Sequence, residues 1–131
     1  MYKGRIITDT ALATDATIPF VTVWNTNINT NPIGNGSVQL RTSGFYDVNV
    51  MATVSGITVS PFAIQLFDGD TPIAESLAET DITATTGIHT VNITDTIRVL
   101  PNVTDSFATL SVRVSGASTI NSAVMTIEKR K

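Results

Sequence analysis

Residues 44–55 of this chain read Gly-Phe-Tyr-Asp-Val-Asn-Val-Met-Ala-Thr-Val-Ser, and every second side chain from Tyr46 to Val54 is apolar. This alternation predicts a β-strand with one face packed against a core. The opposite face mixes polar residues with Phe45 and Met51. A fully solvated face rarely contains both a phenylalanine and a methionine. We therefore expect the second face of this strand to be covered too, for example by a second copy of the chain.

The composition indicates a single all-β domain. The chain has 131 residues, 42% of them hydrophobic and 15% charged, which favours a folded domain with a core over a disordered chain. Threonine, serine, valine and isoleucine are frequent, whereas leucine, glutamate and lysine are scarce, so strand formers prevail over helix formers. The formal charge of −3 gives no electrostatic reason to expect nucleic-acid binding. The absence of cysteine excludes disulfides, thiolate metal sites and cysteine nucleophiles.

The N-terminal residues include basic side chains without an apolar run behind them, so a signal peptide is not expected. No stretch approaches the roughly 20 apolar residues that a membrane-spanning helix needs. We therefore expect a chain that has no membrane partner and is made in the cytoplasm of its host cell. Export by cell lysis or by incorporation into a particle is compatible with this expectation.

Seven other segments have the alternation or the short apolar runs of strands, at spacings of roughly 8–12 residues. These segments are 17–24, 37–41, 62–67, 72–78, 91–99, 107–114 and 123–127. Asp68-Gly69 between two apolar runs predicts a β-hairpin. Asp95 interrupts the apolar phase of residues 91–99, which form one long strand or two strands joined by a bulge. With no helical window and no repeat period, this order of strands predicts an antiparallel jelly-roll β-sandwich.

Residues 1–16 are polar and weakly patterned, so we expect an N-terminal arm or anchor there and a single jelly-roll domain at residues 17–131. The arm is expected to be flexible, with an ordered strand as the alternative. Pro19 places the first strand of the domain at a sheet edge or at a strand start, because proline cannot donate to the hydrogen-bond ladder. Trp24 is the only tryptophan and is expected in the core, with a ligand-stacking platform as the alternative. Residues 25–36 are expected to form a polar surface loop.

Several segments have the order of a known fold. An asparagine-glycine turn and a short strand at residues 35–40 precede a glycine-aromatic-tyrosine opening at residues 44–48. Residues 62–69 add a Leu-Phe pair and a glycine turn, and residues 122–127 form the closing strand. In this order the chain resembles the jelly roll of tumour-necrosis-factor-like ligands and of the globular heads of complement-type collagenous proteins.

The bacteriophage and Gram-positive bacterial branch of this fold is the closer resemblance. Its members often have stretches similar to Thr96-Ile97-Arg98-Val99-Leu100-Pro101-Asn102 and to Val124-Met125-Thr126-Ile127-Glu128-Lys129. The collagen-like or coiled-coil stalk that often precedes such heads is absent from this sequence. Any trimer is therefore expected to hold through the jelly roll itself.

The resemblance implies a homotrimer, because members of this fold usually assemble as homotrimers. A threefold contact would cover the second face of residues 44–55. The residues expected to line it are Phe45, Met51, Phe67 and Phe107, together with Tyr46 if the register is shifted by one residue. The alternative is that these side chains form a second core layer, since both sheets of a sandwich face inward.

No catalytic or metal-binding arrangement is evident in the sequence. His89 is the only histidine and no serine lies in a Gly-x-Ser-x-Gly elbow, so a Ser-His-Asp triad is not predicted. Asp68-Gly69-Asp70 lacks the ligand spacing of a calcium-binding EF-hand loop. Glu75, Glu79 and Asp81 are close in sequence, but nothing places them across a cleft as a glycosidase pair. We expect no enzyme activity, no cofactor and no metal.

Two hypotheses for function follow. The first is a non-enzymatic trimeric structural protein of a bacteriophage virion, in a capsid decoration, head fibre or tail appendage. Its partners would be other capsid or tail proteins, with residues 1–16 docking to the particle.

The second hypothesis is a carbohydrate- or receptor-binding module on a phage tip or a bacterial cell surface, with a host surface glycan as a ligand. Loops 25–36 and 80–88 would form that site, since amides offer hydrogen bonds to sugars and an indole ring offers a stacking face. The expected ligand contacts are Trp24, Asn27, Asn29 and Asn31.

Overall fold

In the computed structural model, which describes residues 1–25, 30–57, 61–80, 87–99 and 108–130, the chain forms eleven β-strands. They are β1 (Tyr2–Ile6), β2 (Thr10–Leu12), β3 (Val21–Asn25), β4 (Thr30–Gly34), β5 (Ser37–Leu40), β6 (Gly44–Ser55), β7 (Phe62–Asp68), β8 (Thr71–Thr80), β9 (His89–Val99), β10 (Ala108–Val114) and β11 (Ser118–Lys129). The described ranges contain no helix long and apolar enough to cross a membrane.

The strands form two antiparallel sheets that pack face to face. Sheet A has the order β3-β1-β11-β6-β9, with β2 also beside β11, and sheet B has the order β4-β5-β10-β7-β8. Strands that pair in space are often distant in the chain, as β1 with β11 and β5 with β10. This is the jelly-roll arrangement, and it confirms the predicted all-β sandwich.

Strand β6 covers the core with the face that its alternation predicts. Its inward side chains Tyr46, Val48, Val50, Ala52 and Val54 are each at most 2% exposed. The opposing layer from sheet B includes the buried side chains Leu40, Ile64, Leu66, Leu110 and Val112. Burying one large apolar side chain stabilises a fold by about 1.5–3 kcal/mol, so this two-layer core is the main source of stability.

The predicted hairpin and the long strand after it are both present. Gly69 and Asp70 join β7 to β8, and Gly69 has the positive φ of 60° that a tight turn often requires. Strand β9 runs unbroken from His89 to Val99 and pairs with β6 along its whole length. Of the two alternatives for residues 91–99, one long strand is therefore correct.

The prediction of a flexible N-terminal arm is wrong. Strand β1 pairs with β11 on one side and with β3 on the other, and Tyr2 is only 1% exposed. Its inward positions are Tyr2, Gly4 and Ile6. Because the middle one is a glycine, the sequence of β1 lacks the apolar alternation by which a strand is predicted. A Cβ atom on Gly4 would lie 2.5 Å from the hydroxyl oxygen of Tyr2, which explains why this position has no side chain.

The segment after β2 crosses from sheet A to sheet B. The Asp15 amide donates to the Val114 carbonyl at 3.0 Å, and the Ile18 amide donates to the Val112 carbonyl at 2.8 Å. Residues 1–16 are thus part of the jelly roll, and the domain begins before the predicted boundary at residue 17.

Edge strands account for the other differences from the expected elements. Strand β3 forms one end of sheet A just after Pro19, as the proline predicts. Residues 30–34, which were expected to belong to a loop, form β4 at one end of sheet B. Their sequence Thr-Asn-Pro-Ile-Gly has turn-forming residues, and pairing with β5 overrides that local preference.

Candidate functional site

The outer face of sheet A is the surface that the sequence predicts to be covered. Strand pairing places outward residues of its five main strands in rows that cross the sheet. One row contains Val21, Arg5, Val124, Met51 and Asn92. The next row contains Trp24, Lys3, Thr126, Asn49 and Thr94. The candidate site is built from these rows.

The part of this face on β6, β9 and β11 carries no charge between its two ends, and Lys3 and Arg5 lie beside it on β1. On β6, β9 and β11 the outward residues there are Asn49, Met51, Thr53, Thr90, Asn92, Thr94, Ser122, Val124 and Thr126. Met51 stands out of the sheet with 52% of its surface exposed, beside a shallow depression of about 320 Å³. Depletion of charge and exposure of methionine are typical of the centre of a protein–protein interface.

An ion pair lies at one end of the outer face of sheet A. Arg130 Nε donates to Asp47 Oδ2 at 3.0 Å, and Arg130 Nη2 lies 3.0 Å from Asp47 Oδ1. The hydrogen bonds from Arg130 and then from Thr96 hold the pKa of the Asp47 carboxyl below its ordinary value. Because Arg130 Nη2 also donates to Thr96 Oγ1 at 3.2 Å, this group ties the chain after β11 to both β6 and β9.

Phe45 and Met51 both lie on this face, as the predicted register requires. Phe45 is 46% exposed, and the guanidinium carbon of Arg98 lies 5.6 Å from the centroid of its ring. The two side chains are roughly 20 Å apart along β6 at the usual rise of a strand. They mark the two ends of one exposed strip, and their role in a contact between protomers stays a prediction.

Tyr46 does not belong to that strip, which corrects its inclusion in the predicted interface. Its side chain is 0% exposed and lies in the core. Its hydroxyl donates to the Thr42 carbonyl oxygen at 2.7 Å and lies 2.9 Å from Thr42 Oγ1. A side chain enclosed in this way cannot touch a second protomer, and the shifted register that would have exposed it does not occur.

The structure separates Phe67 from Phe45 and Met51. Phe67 points out of sheet B, on the opposite side of the molecule, where the guanidinium carbon of Arg113 lies 4.3 Å from its ring centroid. Phe67 therefore does not share a patch with Phe45 and Met51. Phe107, the remaining predicted contact, lies outside the described residues.

The predicted ligand contacts fall on two strands. Trp24 is 47% exposed on β3, so the expectation of a core tryptophan is wrong, and Lys3 Nζ lies 5.1 Å from the centroid of its indole ring system. Asn31 lies on β4 in the other sheet, opposite Gln39 of β5. Asn27 and Asn29 lie outside the described residues.

The ends of β3 and β4 are linked directly. Asn25 Nδ2 donates to the Thr30 carbonyl at 2.8 Å, and Thr30 Oγ1 donates to Asn25 Oδ1 at 2.7 Å. Trp24 and Asn31 therefore lie on adjoining edges of the two sheets, near the same end of the sandwich.

Sequence reasoning missed a groove of about 500 Å³ where β3 diverges from the chain that follows β1. Ile7 and Val21 line it and are 72% and 69% exposed. The available signal is the adjacent apolar pair Ile6-Ile7 at the end of β1, because neighbouring side chains of an extended chain point to opposite sides and one of the two must point outward.

The described residues contain no group of three or more histidine, aspartate or glutamate side chains that could hold a metal ion. His89 lies at the start of β9, opposite Val54. Within the described ranges no hydrogen bond joins it to a serine or a carboxylate.

No protein-family model and no curated protein matches this sequence. Solved structures do match it along nearly the whole chain. Eiger TNF from S. frugiperda is 11% identical with a TM-score of 0.74, over 98% of this chain and 92% of that chain. The globular domain of the zebrafish complement 1qA protein is 9% identical with a TM-score of 0.64, over 100% and 98% of the two chains.

A viral structure has the same fold. The PRD1 vertex protein P5 is 17% identical to this chain with a TM-score of 0.60, over 99% of this chain and 96% of that one. At such identities the likeness shows the fold alone. The chain has the tumour-necrosis-factor-like and complement-globular-head jelly-roll fold, as its sequence motifs predicted.

Proposed function

We propose that this protein is a non-enzymatic homotrimeric structural protein of a bacteriophage virion, acting in a capsid decoration, head fibre or tail appendage. The observation that carries the proposal is the uncharged part of the outer face of sheet A on β6, β9 and β11, with Met51 half exposed within it. The likeness to a vertex protein along nearly all of both chains supports a place in the virion. The protein would be made in the host cytoplasm and assembled with other capsid or tail proteins.

The outer face of sheet A is the surface through which the protomers would meet. Contact through the part on β6, β9 and β11 would remove Met51 and Val124 from water, with the Arg130–Asp47 ion pair at one end and Lys3 and Arg5 of β1 at its margin. Charged pairs at the rim of an interface cost little, whereas an unpaired charge at the centre costs much more. In a cyclic trimer each protomer contributes two different patches, so this face would meet another surface of the neighbouring copy.

Light scattering on a sizing column tests the trimer. We expect a mass three times the 13.9 kDa of one chain, and a monomer at micromolar concentration would overturn the proposal. Met51→Asp should give monomers, because it places a charge at the centre of the contact. Met51→Leu is the matched control, since it keeps an apolar side chain at the same position and should leave the trimer intact.

Association with a particle is tested separately from the trimer. The purified protein should bind phage capsids or tails, and saturable binding with a fixed number of copies per particle is the expected result. Binding to purified glycans without binding to particles would instead favour the second function.

That second candidate is a carbohydrate- or receptor-binding module on a phage tip or a bacterial cell surface. The observation in its favour is the exposed indole of Trp24, which offers a stacking face near Asn31. A glycan array with the wild-type protein and Trp24→Ala tests it. Binding that the substitution abolishes would support this function, and an array without signal would exclude the glycan as a partner.

A further inference from the structure

The turn between β4 and β5 consists of Asn35 and Gly36. The flanking residues Gly34 and Ser37 are paired across the two strands, so the loop between them has two residues. Asn35 has a φ of 53° and Gly36 has a φ of 79°. Positive φ at both central residues is the signature of a type I′ turn, in which Asn-Gly is a favoured sequence.

The same two residues are a chemically reactive pair. The side-chain amide of an asparagine is open to attack by the backbone nitrogen of the next residue, and asparagine is accordingly one of the thermally labile residues of proteins. A glycine in the next position has no side chain to hinder this attack. Asn35-Gly36 is the only Asn-Gly pair in the sequence, and Asn35 is exposed.

The closed turn opposes this reaction. In an ideal type I′ turn the first central residue has a ψ of about +30°. At that ψ the backbone nitrogen of Gly36 lies nearly trans to Cβ of Asn35 about the Cα–C bond of Asn35. Closure of a ring through the asparagine side chain needs the same two atoms to be nearly eclipsed. The attack therefore requires the backbone of the turn to leave its native conformation.

The segment before β3 holds the turn in this conformation. A Cβ atom on Gly36 would collide with the Ile18 carbonyl oxygen and lie 2.8 Å from the Phe20 amide nitrogen, so the two backbones are in close contact. Ile18 is itself anchored, because its amide donates to the Val112 carbonyl at 2.8 Å and its side chain is 0% exposed. Opening of the turn must therefore disrupt packing against an anchored segment.

We propose that Asn35 is a site of spontaneous deamidation that the closed β4–β5 turn protects and that opening of the turn exposes. In the reaction the nitrogen of Gly36 forms a bond with Cγ of Asn35, the bond from Cγ to Nδ2 breaks, and the Gly36 amide proton leaves with Nδ2 as ammonia. Water then adds to one of the two carbonyl carbons of the cyclic imide and opens it to aspartate or to isoaspartate. The inference does not depend on the proposed virion role.

The two products differ in their effect on the turn. Aspartate keeps the number of backbone atoms, and Asp-Gly suits a type I′ turn as Asn-Gly does. Isoaspartate routes the backbone through the side chain and adds one methylene between the paired residues Gly34 and Ser37. The longer loop does not fit both this pairing and the close contact of Gly36 with Ile18, so isoaspartate should prevent the turn from closing.

Mass spectrometry of the full chain at mildly alkaline pH tests the protection. The protein is incubated folded or unfolded in urea, digested after increasing times, and analysed at the peptide that contains residue 35. We expect conversion of Asn35 in urea, and conversion at least about tenfold slower in the folded protein, because the turn is open in fewer than about one molecule in ten. Asn121 precedes a serine and is the internal control, which should react more slowly than Asn35 in urea.

Two matched variants assign the protection to the turn and not to the fold as a whole. Ile18→Val loosens the segment that packs on Gly36. Ile93→Val makes the same change at a residue that is 4% exposed on β9, in the other sheet from β4 and β5. Ile18→Val should speed the conversion in the folded protein by roughly two- to tenfold, whereas Ile93→Val should leave it near the wild-type rate.

Refolding tests the effect of the two products. The protein is partly converted in urea and returned to buffer, and the folded and unfolded fractions are separated on a sizing column. Chromatography of the peptide resolves aspartate from isoaspartate at position 35. We expect aspartate in the folded fraction and isoaspartate in the unfolded fraction. Asn35→Asp should refold like the wild type.

The inference fails if Asn35 converts as fast in the folded protein as in urea, or if it does not convert in urea. Equal acceleration by Ile18→Val and Ile93→Val would also overturn it, because global unfolding and not opening of the turn would then control the reaction. Chains with isoaspartate that refold like the wild type would contradict the argument from the length of the turn.

Discussion

The hydroxyl of Tyr46 donates a hydrogen bond to the carbonyl oxygen of Thr42 at 2.7 Å, and this bond fixes the turn that leads into β6. Lys129 Nζ donates to Thr42 Oγ1 at 3.0 Å, so the end of β11 reaches the same turn. Tyr46 thus combines an apolar ring in the core with a polar group that organises the entry to the central strand.

Replacing this tyrosine tests the role of its hydroxyl. Tyr46→Phe keeps the ring in the core but removes a buried hydrogen bond, which should lower the free energy of unfolding by about 1–2 kcal/mol. Urea denaturation followed by circular dichroism measures the change. The mass in solution should stay that of the wild-type protein, and loss of the assembly without loss of stability would contradict the assignment of Tyr46 to the core.

Gly36 is expected to be far less replaceable than its neighbour Gly34. Gly36 has a φ of +79°, and a Cβ atom there would collide with the Ile18 carbonyl oxygen and lie 2.8 Å from the Phe20 amide nitrogen. Gly34 has a φ of +98° but open space around it, so an alanine there adds only backbone strain of about 1–3 kcal/mol.

Gly36→Ala should therefore destabilise the protein by clearly more than Gly34→Ala in the same urea titration. The difference between the two losses of unfolding free energy reflects how closely the chain before β3 packs on the turn between β4 and β5. Equal effects of the two substitutions would show that Ile18 and Phe20 can move away at little cost.

The alternation of residues 44–55 was sufficient to predict β6, its buried face and its outward face, because a strand buried on one side must repeat every second residue. The hairpin at Asp68-Gly69 was equally clear, since its turn chemistry is local. In these elements the structure follows local rules: β6 lies in sheet A, which carries the candidate face, and the hairpin lies in sheet B.

The predictions that failed for Phe67 and for β1 depend on how the strands are arranged relative to one another. Phe67 is out of phase with the core residues of β7, so its outward direction follows from the sequence. Which sheet contains β7 does not follow, and that decides whether Phe67 can join Phe45. Gly4 interrupts the pattern of β1 because the space it leaves is filled by Tyr2 from the same strand.

The interaction of Asp47 with Arg130 predicts a specific dependence on pH. A carboxyl with a lowered pKa in the folded state stabilises the fold above its unfolded pKa, near 3.8, and that contribution is lost as the pH falls through the folded value. Arg130→Gln removes the main cause of the shift, so the pKa of Asp47 should rise towards its ordinary value. Thr96→Val should raise it less, since the threonine is the second cause.

Carbon-detected NMR titration of the Asp47 carboxyl measures both shifts. We expect the pKa of Asp47 to rise more in Arg130→Gln than in Thr96→Val. A larger rise in Thr96→Val would mean that the hydrogen bond from Thr96, and not that from Arg130, is the main cause of the lowered pKa. The stability difference between wild type and Arg130→Gln should also shrink in acid, once Asp47 is protonated in both proteins.

The phenol of Tyr2 predicts how the stability of the fold changes at alkaline pH. Burial raises the pKa of its phenol above the ordinary value of 10.0, although a hydrogen bond with Thr22 opposes this. A raised pKa in the folded state contributes stability that is fully present below pH 10.0 and is lost as the pH rises through the folded value. Tyr2→Phe cannot ionise, so its stability should fall less steeply in alkali than that of the wild type. Urea titrations at neutral and alkaline pH test this, and parallel losses in the two proteins would mean that the phenol of Tyr2 already reaches solvent in the folded state.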